Sequence, residues 1–583
     1  MFARSMSQRH ILFSLFCAMV FQAFGQNPKS LPENYFDAPV NIPMYLAGNF
    51  GEIRGNHFHA GIDIKTNQVE GLPVFASAEG FVSRIKVGLY GYGKAVYIEH
   101  PNGYTTCYAH LLHFNEELEK YVRNQQYKAK TYEVDVYPKP GALKISRGEE
   151  IAKSGNTGGS GGPHLHFEIR KTAGQIPVNP LLFNFDIKDN IKPIIKTISV
   201  YPLNDTSLVN GKHEPLHTTV RGHNGVYHLP GPLQLTARGV IGVGIETIDK
   251  ANGVHNRLGA YRVSMVADGD TAYRHEMFEI PFALSRYINA HIDYYESAKR
   301  RRRVQKSFIE PNNKLNIYQT SPTKGKLFFN EYGHDVYYEV KDAYGNTSNI
   351  RFTIDVDRTT PPGRRETPPN STRFSFKKEN EYSEGQIAVR FPSYSLYNDL
   401  DFTHKTEPPL HGAFCEVHHI GNLYTPLHKY IDVSISLDSV PRHLRERLYA
   451  VSLDSRLRVI SPEGGSLSAR NIFSFRTRSL GPYTVLADTS DPVIKGGFAS
   501  GIPVLTKNDR LKFVISDNES GIDKFEGFVD GNWVLMEFDY KTGEFWFQPD
   551  AERLAAGIHE LKIYITDAVG NTAVEQTEFK FAP

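Results

Sequence analysis

Two short segments hold side chains of the kind that bind metals and activate water. His59-Ala60-Gly61-Ile62-Asp63 sets an imidazole and a carboxylate four residues apart, and His164-Leu165-His166 sets two imidazoles at i and i+2. On a strand, i and i+2 project from one face, so the two later histidines look into the same space. Neutral imidazoles with an anionic oxygen are zinc donors, and three protein ligands with a fourth position open are how a catalytic zinc is held. His59, Asp63 and one of His164 or His166 supply such a set. The chemistry this predicts is hydrolysis by a metal-activated water, whose pKa an open zinc site lowers to roughly 7.

Short β-rich runs separated by glycine turns must position these residues. Pro73–Ala76, Phe81–Val87, Lys94–His100, Tyr104–Leu111 and His164–Arg170 read as strands, punctuated by Gly88, Gly91, Gly93, Gly103, Gly148 and Gly155. The stretch from about 113 to 146 breaks this rhythm. There Asn115 can cap a helix, with Glu116, Glu117 and Glu119 in its first turn and Leu118 and Val122 on one face. It reads as an insertion on the domain's edge.

More than the ligands matches a known pattern. Phe58 to Asp63, Gly71-Leu72-Pro73-Val74-Phe75-Ala76 with Gly80, and Gly91-Tyr92-Gly93 before Val96–His100 come first. Tyr108-Ala109-His110-Leu111, Ser154-Gly155-Asn156-Thr157-Gly158 and Gly162 to Glu168 follow in order. Over about residues 50–180 the chain resembles the lysostaphin/LytM-type zinc endopeptidases (peptidase family M23), which cut peptide cross-links of bacterial cell walls. The resemblance implies an antiparallel β-sheet domain of the duplicated-hybrid-motif kind. It implies one zinc per chain on His59, Asp63 and His166, with His110 and His164 catalytic beside the metal. The stretch between His110 and Ser154 is longer than the compact family core requires, so it can narrow or cover the groove.

Neighbouring residues have plainer readings. His57 has the wrong spacing to Asp63 and reads as a surface or supporting residue; His100 and His113 read as structural. Glu168 shares a strand face with His166 and is expected at most to support it. Cys107 lacks a visible activating environment for a catalytic thiol. Gly155–Gly162 is not a phosphate loop, because the Gly-Lys-Ser/Thr ending is missing, and reads as a mobile loop over a cleft.

The 583 residues exceed what one core fills, and 40% hydrophobic with 22% charged residues is ordinary for folded protein. Arg4, Arg9 and His10, the apolar run Ile11–Phe21 and Ala23-Phe24-Gly25 read as a secretory leader cleaved near Gly25. Cleavage removes two of 66 basic residues and no acid, leaving 64 against 64, so bulk charge gives no argument for nucleic acid. Cys107 and Cys415 then remain and read as separate thiols. Arg300–Arg303 reads as an exposed face or loop. No second segment is long enough to span a bilayer.

Beyond residue 185 the chain repeats itself. An aspartate four residues before a proline recurs at Asp189, Asp357 and Asp488. Asp342-Ala-Tyr-Gly-Asn-Thr347 echoes Asp567-Ala-Val-Gly-Asn-Thr572, and Asp249–Gly253 echoes Asp517–Gly521. The expected architecture is mainly β: a metallopeptidase domain over 40–185, then β-sandwich or Ig-like modules over 190–357, 358–488 (class open) and 489–583. The expected function is an exported zinc endopeptidase of the periplasm or cell envelope. It would act on peptidoglycan peptides, with envelope proteins as candidate partners of the C-terminal modules. The alternative is a non-catalytic, envelope-binding or hydrolase-regulating protein on the same fold, against which the retention of all five histidine and aspartate positions argues.

Overall fold

The computed structural model describes residues 31–497 and 501–583. The expected leader lies outside them. The chain is mainly β, 45% strand and 7% helix. Among the described residues no helix is long and apolar enough to cross a membrane.

The N-terminal part holds twelve strands: β1 Leu46–Gly48, β2 Ile62–Lys65, β3 Pro73–Phe75, β4 Gly80–Val87, β5 Ala95–Glu99, β6 Tyr104–Ala109, β7 Leu111–Phe114, β8 Val134–Val136, β9 Lys144–Ile145, β10 Glu150–Ser154, β11 His164–Lys171 and β12 Ile176–Val178. The main sheet runs β1-β2-β11-β6-β5-β4-β8, with β12 added to β11 and β9 to β4; β3-β10-β7 form a second, small sheet. Period-two alternation sorts β11 cleanly. Leu165, Phe167 and Ile169 are fully buried in the core, each stabilising by about 1.5–3 kcal/mol, while His164, His166, Glu168 and Arg170 take the opposite face.

The 113–146 stretch forms the helix Glu116–Ala129. Asn115 Oδ1 accepts the Leu118 N–H at 3.0 Å, and Leu118 and Val122 face the core. After it, β8 and β9 extend the sheet edge on β4. The run read as one strand over Tyr104–Leu111 breaks instead. His110 takes the left-handed conformation (φ 60°), so β6 ends at Ala109 and β7 begins in the other sheet.

Among the described residues the three largest cores beyond residue 190 are built from residues within 195–354, 374–485 and 505–581. The first belongs to a thirteen-stranded arrangement, the second lies between two five-stranded sheets, and the third lies between a four- and a five-stranded sheet. The first and last groups repeat fine detail. Asp268-Gly269 and Asp530-Gly531 both close hairpins with positive φ, and His334 and His559 each bond the turn aspartate at 2.6 Å. Short helices Phe282–Ser285, Ile288–His291 and Tyr294–Arg300 interrupt the first group. Leu284, Ile288 and Ala290 of the first two pack in a core with Phe50, Ile53 and Phe58 of the N-terminal part. The arginine run is largely exposed, as expected, and is also paired: Arg300 and Arg302 with buried Glu296, and Arg303 with Glu52.

Candidate active site

Sheet register builds the site. Asp63 on β2 stands opposite His166 on β11, which in turn stands opposite Ala109, one residue before His110. Gly61 permits this approach, since a Cβ there would lie 2.3 Å from the Phe167 carbonyl oxygen. His59 precedes β2, and its backbone is tied to the 49–54 turn by Gly51 N–H to its oxygen and its own N–H to Glu52 oxygen, both 2.9 Å.

His59 Nε2, Asp63 Oδ1 and His166 Nδ1 form a triangle with sides of 3.0, 2.9 and 3.1 Å. The other ring nitrogens fix the tautomers. His59 Nδ1–H donates to Asn49 oxygen and His166 Nε2–H to Glu168 Oε1, each at 2.8 Å. Both imidazoles therefore turn a lone pair toward the Asp63 carboxylate. Three converging lone pairs repel unless a cation lies among them, so these residues fit a divalent metal with imidazole and carboxylate donors. Arg54 Nη2, 3.1 Å from Asp63 Oδ2 and from Glu52 Oε2, orients the carboxylate.

Charge in this pocket follows its partners. Burial opposes ionisation of Asp63, yet His59, His164 and His166 hold its pKa well below the usual value. Burial likewise opposes the charged form of His166, but hydrogen bonds to Asp63 and Glu168 carry it to about 9. Without a metal, a proton shared between His166 Nδ1 and Asp63 is the cation that relieves this repulsion, and a metal would replace it. Glu168, buried against Arg170, is held down at about 2, and Tyr92 donates to it at 2.5 Å.

His110 and His164 lie beside the triangle with ring centroids 4.8 Å apart. His110 Nδ1–H donates to Thr157 oxygen and His164 Nδ1–H to Gly162 oxygen, both at 2.8 Å, with Ser160 Oγ 3.1 Å from the latter nitrogen. His164 Nε2 is 3.4 Å from Asp63 Oδ1. Burial, then the neighbouring His166 and His164, push His110 down to about 3, so it is neutral near pH 7.

The glycine-rich loop is fastened rather than loose. Gly159 N–H donates to Gly91 oxygen at 2.7 Å, and Gly158 (φ 71°) packs so closely on Gly93 that a Cβ would lie 2.3 Å from its nitrogen. Thr157 Oγ1 bridges Lys94 N–H and Leu111 oxygen. The C-terminal part adds Lys541, which donates to Asn156 oxygen, and Tyr540, whose ring lies 4.6 Å from that of Tyr90.

Other residues fall away from the site. His57 bonds Gly55 oxygen on the surface, His100 is buried between Glu79 oxygen and Thr106, and His113 bonds Phe114 oxygen. Cys107 and Cys415 are buried free thiols, and burial lifts Cys107 to about 12, which disarms it as a nucleophile. Sequence reasoning missed Asn49, Arg54, Thr157, Tyr92 and Arg170. Arg170 carried a signal by continuing the polar face of β11, and Tyr92 and Thr157 stood in the matching motif blocks without a role; Asn49 and Thr157 act through backbone oxygens that no side chain announces.

The sequence profile of peptidase family M23 matches residues 57–135 and 135–180. Residues 57–180 belong to that family. This chain is 41% identical over 123 residues to DD-carboxypeptidase/endopeptidase Mpg of Neisseria meningitidis (21% of this chain, 22% of that protein). It is 30% identical over 176 residues to peptidoglycan DD-endopeptidase ShyA of Vibrio cholerae (29% and 34%). It is 33% identical over 135 residues to murein hydrolase activator NlpD of Salmonella dublin (23% and 28%). The chain thus spans about a fifth to a third of these relatives. A zinc-containing peptidase from Vibrio cholerae is a structural match at 26% identity, covering 26% of this chain and 41% of that one, with a TM-score of 0.20. Residues 371–488 match a Zu5-like domain, which gives a class to the segment that sequence left open.

Proposed function

We propose that the chain is an exported zinc endopeptidase that hydrolyses peptide cross-links of bacterial cell-wall peptidoglycan, with one zinc held by His59, Asp63 and His166. The observation that carries this reading is the triangle of lone pairs, with sides of 2.9 to 3.1 Å, flanked by two further histidines. Zinc there supplies Lewis acidity toward a peptide carbonyl and acidifies a water. Asn49, Arg54 and Glu168 keep the three ligands in orientation. His110 and His164, each with Nδ1–H committed to a backbone oxygen, keep Nε2 as the nitrogen that exchanges protons. One of the pair takes the proton of the attacking water and returns it to the leaving amine; as an imidazolium it also stabilises the oxyanion.

The names of Mpg and ShyA support peptidoglycan as substrate and the envelope as location. The segments that go with this reading are an M23 domain over 40–185, with 113–146 inserted, and β modules over 190–357, 358–488 and 489–583 that hold the enzyme at envelope partners. The match to an activator, NlpD, keeps a regulatory role as the second reading. Peptidoglycan digestion and zinc content of the purified chain and of His166→Ala separate the two. Loss of both in the variant supports the enzyme, and equal digestion by both proteins sinks it. Mass spectrometry of the released muropeptides then names the bond cut.

A further inference from the structure

Outside the zinc site, three aspartates converge where the M23 domain meets the next β module. Asp189 precedes the strand Ile194–Pro202, Asp249 follows Thr236–Ile248, and Asp342 follows His334–Lys341. One oxygen from each lies within 4.8 Å of the others. No lysine, arginine or histidine forms an ion pair with any of them among the described residues. Their partners are neutral: Ile191 N–H on Asp189, Tyr344 and Asn346 N–H on Asp342, and the Asn346 amide bridging Asp342 Oδ2 (2.6 Å) and Asp189 oxygen (3.1 Å).

Asp249 is the decisive member. It is 3% exposed, and its Oδ1 is buried with no hydrogen-bond partner. A buried, unpartnered carboxylate oxygen is expensive, and two more carboxylates beside it make the arrangement worse. Burial and then the neighbouring Asp342 and Asp189 push Asp249 up to about 9, and burial lifts Asp189 to about 6. Without a counter-ion the cluster must keep protons that a cation would replace.

The C-terminal module supplies an internal comparison. Asp488, Asp517 and Asp567 come from the corresponding places, and Asn571 bridges Asp567 and Asp488 oxygen as Asn346 does. There, however, Ser520 donates both hydroxyl and N–H to Asp488 Oδ2, and Asp517 Oδ1 accepts two N–H groups. The orphaned oxygen is particular to the first cluster.

We propose that Asp189, Asp249 and Asp342 form a calcium site that fixes the junction between the M23 domain and the module that follows it. The donors are all oxygen and largely anionic, which selects a hard cation over zinc or copper. One oxygen from each carboxylate falls within 4.8 Å of the others, close enough to share a calcium at about 2.3–2.6 Å, and the choice of cation rests on the oxygen donors. The site is placed to act on the junction. The segment after Asp249 sends Ala251, Val254 and Leu258 into the M23 domain's core and ends at Gly259, which exchanges two hydrogen bonds with the side chain of Asn49.

The test titrates the full chain, freed of calcium and kept in constant zinc, with Ca2+ alone. Equilibrium dialysis counts bound ions and thermal unfolding follows stability. Wild type is expected to bind calcium and to gain a few degrees in Tm, rising with the logarithm of calcium concentration. Asp249→Asn should bind one ion fewer and lose most of that gain, while its calcium-free Tm equals or exceeds wild type because a buried acid that must take up a proton on folding is gone. Asp517→Asn should keep the Asp249-dependent ion. No calcium bound by wild type at millimolar concentration overturns the proposal. So does an unchanged ion count in both Asp249→Asn and Asp342→Asn.

Discussion

His110 holds a backbone conformation that a non-glycine residue adopts at a cost of roughly 1–2 kcal/mol, and it does so where two sheets part company. The strain aims the ring: the Ala109–His110 corner swings the imidazole away from the path of β6 and onto the Thr157 oxygen. His110→Ala should therefore keep its zinc while hydrolysis falls by about 10²–10⁴-fold, read by metal content beside muropeptide release. Glu168 acts one step removed, by committing His166 Nε2–H and so turning the Nδ1 lone pair toward Asp63, where the proposed zinc would bind. Glu168→Gln should weaken zinc affinity by about 10–100-fold in a chelator competition, with the fold retained.

At the scale of elements, the helices Phe282–Ser285 and Ile288–His291 lie against the segment that carries His59. Ser285 Oγ accepts the Phe58 N–H at 2.8 Å, and Asn289 bonds Asn56. Beneath them His291 packs on His275 with ring centroids 4.9 Å apart, and its nitrogens meet Tyr318 and Gln305. Burial lowers His291 to about 4. Because the unfolded chain binds this proton near pH 6.5, stability from the neutral ring is intact above that pH. It falls by up to about 3 kcal/mol between 6.5 and 4, then levels off. Denaturation midpoints at pH 7 and 5 should differ less in His291→Gln than in wild type. Such contacts explain what sequence could convey. The period-two sorting of β11, the Asn115 cap and the His-x-His spacing are local patterns and were legible. The break at His110 was not, because alternation continues through it while the backbone turns. Nor were Asn49 and Thr157, whose roles depend on folding that brings distant backbone oxygens to a ring nitrogen.

Across the whole molecule, the C-terminal module returns to the M23 domain along one broad face. Lys94 and Glu537 meet at 3.0 Å, both largely buried; Tyr127 packs on Trp533, and Arg553 reaches Asn124. Lys94→Met leaves Glu537 buried without its partner and should destabilise the docked state by about 3–5 kcal/mol, while adding Glu537→Leu should recover most of the loss. Unfolding midpoints of the single and double variants check this. The same Lys94 donates its backbone N–H to Thr157, so undocking also reaches the loop that steers His110. The smallest of these links has the widest reach. His59 owes its tautomer to the Asn49 oxygen, and Asn49 is gripped by Gly259, yet the family match begins at residue 57. A recombination event cutting at the family's edge would carry His59, Asp63 and His166 to a new host and leave the His59 tautomer unset. A transplanted M23 domain is therefore expected to need its flanking module, or a substitute for the Gly259 grip on Asn49, to hold the His59 ring as it is held here.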